Sequence, residues 1–103
     1  MNPTPENLSK TITYQRGGVV SRELARTQGG TVTLFAFDAG QALSEHTAPF
    51  DALIIALEGN AQATVSGKTF AIHDGEYVIL PANKPHALKA TTRFKMLLVM
   101  LKA

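Results

Sequence analysis

The sequence contains no cysteine, and this absence excludes several classes of protein at once. Without thiols the chain has no disulfide framework, no thiolate zinc site, no iron–sulfur cluster and no cysteine nucleophile. It also lacks tryptophan, and aromatic residues make up only 7% of its 103 residues. At this length we expect one compact domain, large enough to bury a core without a disulfide or a structural metal.

Long apolar runs and a strong charge of one sign are absent too. No stretch reaches the roughly 18 apolar residues of a membrane-spanning helix. Residues 1–7 have neither the basic start nor the apolar run of a signal peptide. Ten basic and eight acidic side chains leave a net charge of only +2. We therefore expect a soluble, cytoplasmic protein whose partners are neither nucleic acids nor membranes.

What the chain does contain is a succession of short strand-like runs. Residues 1–9 are polar and read as a flexible tail, and residues 10–103 form the predicted domain. Gly59, Gly67 and Gly75 fall eight residues apart in turn-forming pairs. About nine strands are predicted, and their spacing favours an all-β jelly roll or small barrel. The predicted strands are Thr11–Gln15, Val19–Leu24, Thr31–Phe37, Leu53–Leu57, Ala61–Ser66, Lys68–Ile72, Glu76–Leu80, His86–Thr91 and Met96–Leu101.

Two of these strands are apolar on both faces. Neither Leu53–Leu57 nor Met96–Leu101 contains a polar residue, so the outward face of each needs a cover. The chain is too short to cover these outward faces with helices. The sequence therefore predicts that a second copy packs on one sheet, most simply as a two-fold homodimer.

Two local patterns, each closing on a histidine, carry the chemistry. The first begins at Gly40, reaches His46 after five intervening residues, and continues to Gly59. The second begins at Gly75, passes through Pro81, and ends at His86. Together they resemble the two signature motifs of the cupin superfamily, G-x5-H-x-H-x3,4-E-x6-G and G-x5-P-x-G-x2-H-x3-N. The resemblance spans roughly residues 30–101 and fits both spacings without gaps.

The resemblance implies a fold and a metal site. Cupins of the RmlC-like type form a double-stranded β-helix, a jelly-roll barrel in which two histidines and a glutamate of the first motif and one histidine of the second bind a divalent metal. Here His46 and His86 match two of those four ligands. Ala48 stands at the place of the second histidine and Ala52 at that of the glutamate. The second motif departs in the same way, with Asn83 for its glycine and Ala90 for its terminal asparagine.

The predicted metal site is therefore incomplete. Two imidazoles alone would hold zinc, nickel, iron or manganese weakly, because a catalytic site usually has three protein ligands. Glu45 and Gln41 are the candidates for a third ligand. Asp51 is expected to point away from the cavity, since side chains alternate along a strand.

The two alanines also leave space near the histidines, which predicts a ligand pocket. A mostly apolar cavity with a few polar groups is typical of a small-molecule site. The residues predicted to line it are His46, Ala48, Phe50, Ala52, Tyr77, His86 and Met96.

Three functions remain open at this point. The first is a barrel that binds a small organic molecule, with His46 and His86 as its polar anchors. The second is a metal-dependent enzyme of the dioxygenase or isomerase type, as the cupin resemblance suggests. The third is a metal-free enzyme in which one histidine is the base and Tyr14 or Tyr77 the acid.

Overall fold

The computed structural model describes residues 3–102, which form nine antiparallel strands in two sheets. Their bounds are β1 Val19–Thr27, β2 Gly30–Phe37, β3 Ala42–His46, β4 Asp51–Glu58, β5 Asn60–Val65, β6 Lys68–His73, β7 Tyr77–Leu80, β8 His86–Ala90 and β9 Phe94–Leu101. One sheet has the order β1-β2-β9-β4-β7 and the other β3-β8-β5-β6. This is the predicted all-β jelly roll. Among the described residues no helix is long and apolar enough to cross a membrane.

Tight turns set the register of the strands. Strands β5 and β6 pair from Asn60 with His73 to Val65 with Lys68, so only Ser66 and Gly67 lie between them. Both turn residues have positive φ, 49° and 82°. Such a two-residue turn matches the right-handed twist of the strands that it joins. The turn predicted at this pair is therefore confirmed.

The core lies between the two sheets and is mostly aliphatic. Alternation places Ala52, Ile54 and Ala56 of β4 inward, and their side chains are buried. Phe37, Phe94 and Met96 supply the largest buried side chains of this cluster. Small alanines on both sheets let these larger side chains fill the space between the layers.

The segment before β1 differs from the prediction. Residues Thr11–Gln15 form no strand, and a short 3-10 helix, Leu8–Lys10, begins in the predicted tail and ends at the first residue of the predicted domain. The side chain of Ile12 is buried against Leu34 and Ala36, on the outer face of the five-stranded sheet. Packing, rather than strand pairing, thus holds this segment. The boundary between a tail of residues 1–9 and a domain of residues 10–103 stays a prediction.

Strand β3 is the other difference, because the sequence analysis placed no strand at Ala42–His46. Four of its five residues are exposed, so it lacks the apolar alternation by which strands are predicted. It belongs to the sheet because its backbone pairs with β8. This pairing places His46 opposite His86.

Candidate histidine site

His46 and His86 lie 40 residues apart in the chain but meet across the two strands β3 and β8. They are register partners in this antiparallel pair. Their Nε2 atoms are 3.1 Å apart, and the rings approach edge to face with centroids separated by 4.4 Å. The structure thus brings together the two histidines on which the predicted site depends.

An irregularity in β3 aims His46 into the barrel. The register with β8 shifts between Leu43 and His46, so the residues between them bulge out of the ladder. Leu43 and His46 are three positions apart, and in a regular strand they would face opposite sides of the sheet. Both nevertheless line the same cavity. The bulge thus re-aims a side chain beside a candidate site, which is a common role of such bulges.

The contacts of the two Nδ1 atoms indicate which nitrogen of each ring carries the proton. His46 Nδ1 lies 2.8 Å from the carbonyl oxygen of Ser44, and His86 Nδ1 lies 3.2 Å from that of Lys84. A carbonyl oxygen can only accept a hydrogen bond, so Nδ1 is the donor in both rings. In the neutral imidazoles the Nε2 lone pairs therefore point toward each other. Two lone pairs at this separation attract a hydrogen-bond donor or a cation.

The two rings differ in their solvent exposure. His46 is exposed at the mouth of the barrel, whereas only 8% of His86 is exposed. Burial lowers the pKa of His86, and the neighbouring His46 lowers it further, against a smaller opposing effect of the Lys84 carbonyl. The lowered pKa favours the neutral form of His86, whose Nε2 can accept a hydrogen bond or bind a metal.

A small apolar cavity opens beside the histidine pair. Its volume is about 30 Å³, which is room for about two water molecules. No lysine, arginine or carboxylate lines it. Pockets that bind drug-sized ligands are roughly 300–1,000 Å³, so only the head group of such a molecule fits beside the histidines without a rearrangement. The lining residues are Leu43, His46, Ile54, Leu80, His86, Ala87, Leu88, Met96 and Leu98.

Of the predicted pocket residues, Met96 lines this cavity together with the two histidines, whereas Tyr77 and Phe50 do not. The side chain of Tyr77 is 69% exposed on the outside of the barrel, so its predicted place in the wall is wrong. Phe50 lies away from the cavity, with the Lys102 ammonium 5.5 Å from its ring centroid. Both side chains are aromatic, as the prediction required, but neither faces the cavity.

The two predicted alanines do not line the cavity either. Ala52 does face inward, but it is packed within the core cluster. Ala48 is half-buried in the loop after β3, where its carbonyl oxygen accepts a hydrogen bond from the backbone of Asn83. The sequence analysis missed the aliphatic lining. For Ile54 and Leu98, which pair directly across β4 and β9, the alternation of buried residues is the signal that could have found them.

Within residues 3–102 no further acidic side chain joins the histidine pair, and the predicted ligand Glu45 is exposed. Gln41 precedes β3, where its backbone carbonyl accepts a hydrogen bond from Ala90, and its role as a ligand stays a prediction. Among residues 3–102 no three His, Cys, Asp or Glu side chains are placed to hold a metal ion together. The Asp51 carboxylate accepts a hydrogen bond from the backbone of Ala82, in keeping with the expectation that it points away from the cavity.

The two imidazoles themselves fit a metal ion. Zinc lies about 2.0–2.1 Å from a histidine nitrogen, so a single ion can bond to two Nε2 atoms that are 3.1 Å apart. Each ring also donates its Nδ1–H to a backbone carbonyl, as metal-binding histidines usually do. The pair can therefore supply two ligands to a metal ion, and no further histidine, cysteine or carboxylate of residues 3–102 is placed to complete the site.

Neither tyrosine is placed to act as an acid opposite a histidine. The Tyr14 hydroxyl donates a hydrogen bond of 2.6 Å to Glu58 Oε1, and Tyr77 faces solvent. Neither residue lines the cavity. Both predicted placements for a histidine–tyrosine acid–base mechanism are therefore wrong.

These features define a small jelly-roll barrel with a histidine pair at an apolar cavity. The sequence profile of the cupin domain family matches residues 33–101, so the chain belongs to the cupin family. None of the curated protein sequences compared is similar to it.

Solved structures of similar proteins agree with this assignment. A protein of unknown function from Streptococcus pyogenes is 32% identical and superimposes with a TM-score of 0.94, over 100% of this chain and 90% of its own. A cupin superfamily protein from Desulfitobacterium hafniense is 29% identical with a TM-score of 0.93, over 100% and 94%. A cupin 2 conserved barrel domain protein from Leptotrichia buccalis is 41% identical with a TM-score of 0.91. That match covers 94% of this chain but only 47% of the Leptotrichia protein, so this chain spans about half its length.

Proposed function

We propose that the barrel binds a small organic molecule whose polar head reaches His46 and His86. The observation that carries this proposal is the 3.1 Å separation of the two histidine Nε2 atoms beside an apolar cavity. A site of this kind has one polar feature and no charged wall. The polar feature orients the ligand, and burial of apolar surface supplies most of the affinity.

The polarity of the site selects the head group. Both Nε2 atoms accept hydrogen bonds, and no cationic side chain lines the cavity to receive a carboxylate or a phosphate. The favoured head is therefore a hydrogen-bond donor, such as an alcohol or a phenol, on an apolar body. Because the cavity holds only about 30 Å³, the head group enters it and the body lies in the mouth beside His46.

The same nitrogens would hold a divalent metal weakly. Zinc, nickel, iron and manganese all accept imidazole nitrogen, and with two protein ligands most of the coordination falls to water or to a bound ligand. Such an ion would polarise an oxygen of the ligand. A metal-dependent enzyme of the dioxygenase or isomerase type would use the same pair of nitrogens, and that activity remains a prediction.

Three matched aromatic compounds test the proposal on metal-free protein. Phenol carries a donor, anisole has the same body without the donor, and benzoate replaces it with an anion. We expect phenol to raise the melting temperature and to bind about fivefold more tightly than the other two, because one donor–acceptor pair contributes about 1 kcal/mol. The effect should disappear in His46→Ala and persist in His73→Ala, whose ring contacts Asn60 on the surface.

Two results would overturn the proposal. The first is that no compound with a donor head binds, even at millimolar concentration. The second is that phenol, anisole and benzoate bind equally well and that their binding survives loss of either histidine. In that case the cavity would be no more than a packing defect of the core.

A further inference from the structure

Two loops at the mouth of the barrel connect the histidines to the rest of the fold. Residues 47–50 follow His46 and lead into β4, and residues 81–85 follow β7 and lead into His86. The carboxylate of Asp51, the first residue of β4, accepts a hydrogen bond of 2.8 Å from the backbone of Ala82. Asp51 thus ties the end of the first loop to the second loop.

Two further hydrogen bonds hold the second loop. The backbone of Asn83 donates to the carbonyl oxygen of Ala48 at 2.8 Å. The backbone of Ser66 donates to the carbonyl oxygen of Pro85 at 2.9 Å. Both of these bonds join backbone groups, whereas the contact with Asp51 depends on a side chain. A substitution at position 51 can therefore remove one of the three bonds and leave the other two in place.

The second loop also supplies the acceptor for the ring proton of His86. The carbonyl oxygen of Lys84, two residues beyond Ala82, lies 3.2 Å from His86 Nδ1. The corresponding contact of His46 with Ser44 is shorter, at 2.8 Å. A distance of 3.2 Å is at the long end of the usual range for such a bond. His86 therefore holds its Nδ1 proton less firmly than His46 does.

His86 has a second neutral form, in which the proton is on Nε2. In that form its Nε2 can donate a hydrogen bond to the Nε2 of His46, which lies 3.1 Å away. The pair would then be closed, because one Nε2 is a donor and the lone pair of the other is already occupied. An open pair, with both Nε2 lone pairs free, requires that the Lys84 carbonyl keeps the His86 proton on Nδ1.

We propose that Asp51 is a positioning residue that keeps the histidine pair open. By holding the loop at Ala82, its carboxylate keeps the Lys84 carbonyl in place to accept the Nδ1 proton of His86. Asp51 does not line the cavity, so it acts through the loop. The inference rests on the proposed function in one respect, since an open pair is what a donor head group binds. The tautomer of His86 itself is a property of the free protein.

The first test measures the tautomers directly, from the ring-nitrogen NMR signals of metal-free protein at about pH 8, above the ordinary pKa of histidine. The chain has three histidines, so the signals are few. Asp51→Ala should shift the tautomer ratio of His86 toward Nε2–H by about fivefold, the factor that one hydrogen bond contributes. Asp51→Asn, whose side-chain oxygen can still accept from Ala82, should keep the wild-type ratio. Asp74→Ala, in an exposed turn, is the matched control.

A second variant removes the donor instead of the acceptor. Ala82 is the second residue of a turn in which the backbone of Lys84 donates to the Pro81 carbonyl at 3.4 Å. Asn83 follows with a φ of 64°, and proline is common at the second position of a turn with a positive φ at the third. Ala82→Pro should shift the ratio as Asp51→Ala does, and the double variant should shift it no further. Ala82→Pro also decides the question if Asp51→Ala does not fold.

Binding measurements separate this inference from the proposed function. In Asp51→Ala, phenol and zinc should each bind up to about fivefold more weakly, because only the open pair is competent to bind. If the wild type bound no phenol, the proposed function would fail, while the tautomer ratios would still decide the role of Asp51. An unchanged His86 ratio in both Asp51→Ala and Ala82→Pro would overturn the inference. So would a further shift in the double variant, or an equal shift in Asp74→Ala.

Discussion

The sharpest consequence of the histidine pair is a stabilisation by divalent metal that depends on both rings. A ligand that binds only the folded state raises the free energy of unfolding by RT ln(1 + [L]/Kd). At a zinc concentration ten times Kd, this gain is about 1.4 kcal/mol. Unfolding entropy is about 2.1 cal/mol/K per residue, or about 0.2 kcal/mol/K for 103 residues. The melting temperature should therefore rise by about 6 °C.

The assay is a thermal melt of EDTA-treated, untagged protein during a zinc titration. We expect the rise to vanish in His46→Ala and in His86→Ala, because one imidazole cannot hold the ion. His73→Ala is the control, since its ring bonds to Asn60 outside the site. Lowering the pH should weaken the effect, because protons compete with the metal for Nε2.

Two outcomes would refute this reasoning. One is the absence of any shift up to millimolar zinc, which would mean that the 3.1 Å pair does not present its lone pairs to a cation. The other is a shift of equal size in the double variant that lacks both His46 and His86, which would place the metal elsewhere.

Three further predictions concern the stability of the metal-free protein, each measured by urea unfolding. Tyr14→Phe removes the hydrogen bond to Glu58 and should lower the free energy of unfolding by about 1 kcal/mol, since that carboxylate is partly exposed. An unchanged urea midpoint would contradict this prediction. His86 binds protons less readily in the folded than in the unfolded chain, so its contribution to stability is complete above about pH 6.5 and is lost as the pH falls below that value. The free energy of unfolding should therefore fall less between pH 7.5 and pH 5 in His86→Gln than in the wild type. An equal fall in both proteins would show that folding does not weaken proton binding by His86. Gly59→Ala should lower the free energy of unfolding more than Gly67→Ala. Both glycines have φ above +80°, but of the two only Gly59 would bring a Cβ into collision with a backbone carbonyl. Equal losses would show that the loop at Gly59 adjusts without cost.

Much of the fold could be predicted because apolar alternation and turn residues are local signals. Strand β5 follows a period of two, and the Ser66-Gly67 turn fixes the register of the hairpin. Strand β3 gave no such signal, since it is short and mostly exposed. Residues 11–15 gave a false one, because the apolar Ile12 and Tyr14 serve to cover a sheet without joining it. Only tertiary packing distinguishes these two uses of an apolar residue.

The site was predictable in its polar centre and not in its walls. Motif spacing identified His46 and His86, because a jelly roll brings the ends of both motifs together. The walls depend on which face each strand turns inward, and the sequence of Tyr77–Leu80 has apolar residues in both phases. Leu80 faces the cavity and Tyr77 faces out. The bulge before His46 breaks the alternation that would otherwise have located Leu43.

Strand β4 contributes both to the cavity and to the outer surface of the five-stranded sheet, because its side chains alternate. Ile54 lines the cavity, whereas Leu53 is on the other face and pairs with Ile79 of β7. His46 and His86 belong to β3 and β8 of the other sheet. Ile79→Lys, a substitution at an exposed residue, should therefore leave the zinc-dependent rise in melting temperature unchanged. If it instead abolished the metal response, the two sheets would be coupled through the core, and β4 would be the element that couples them.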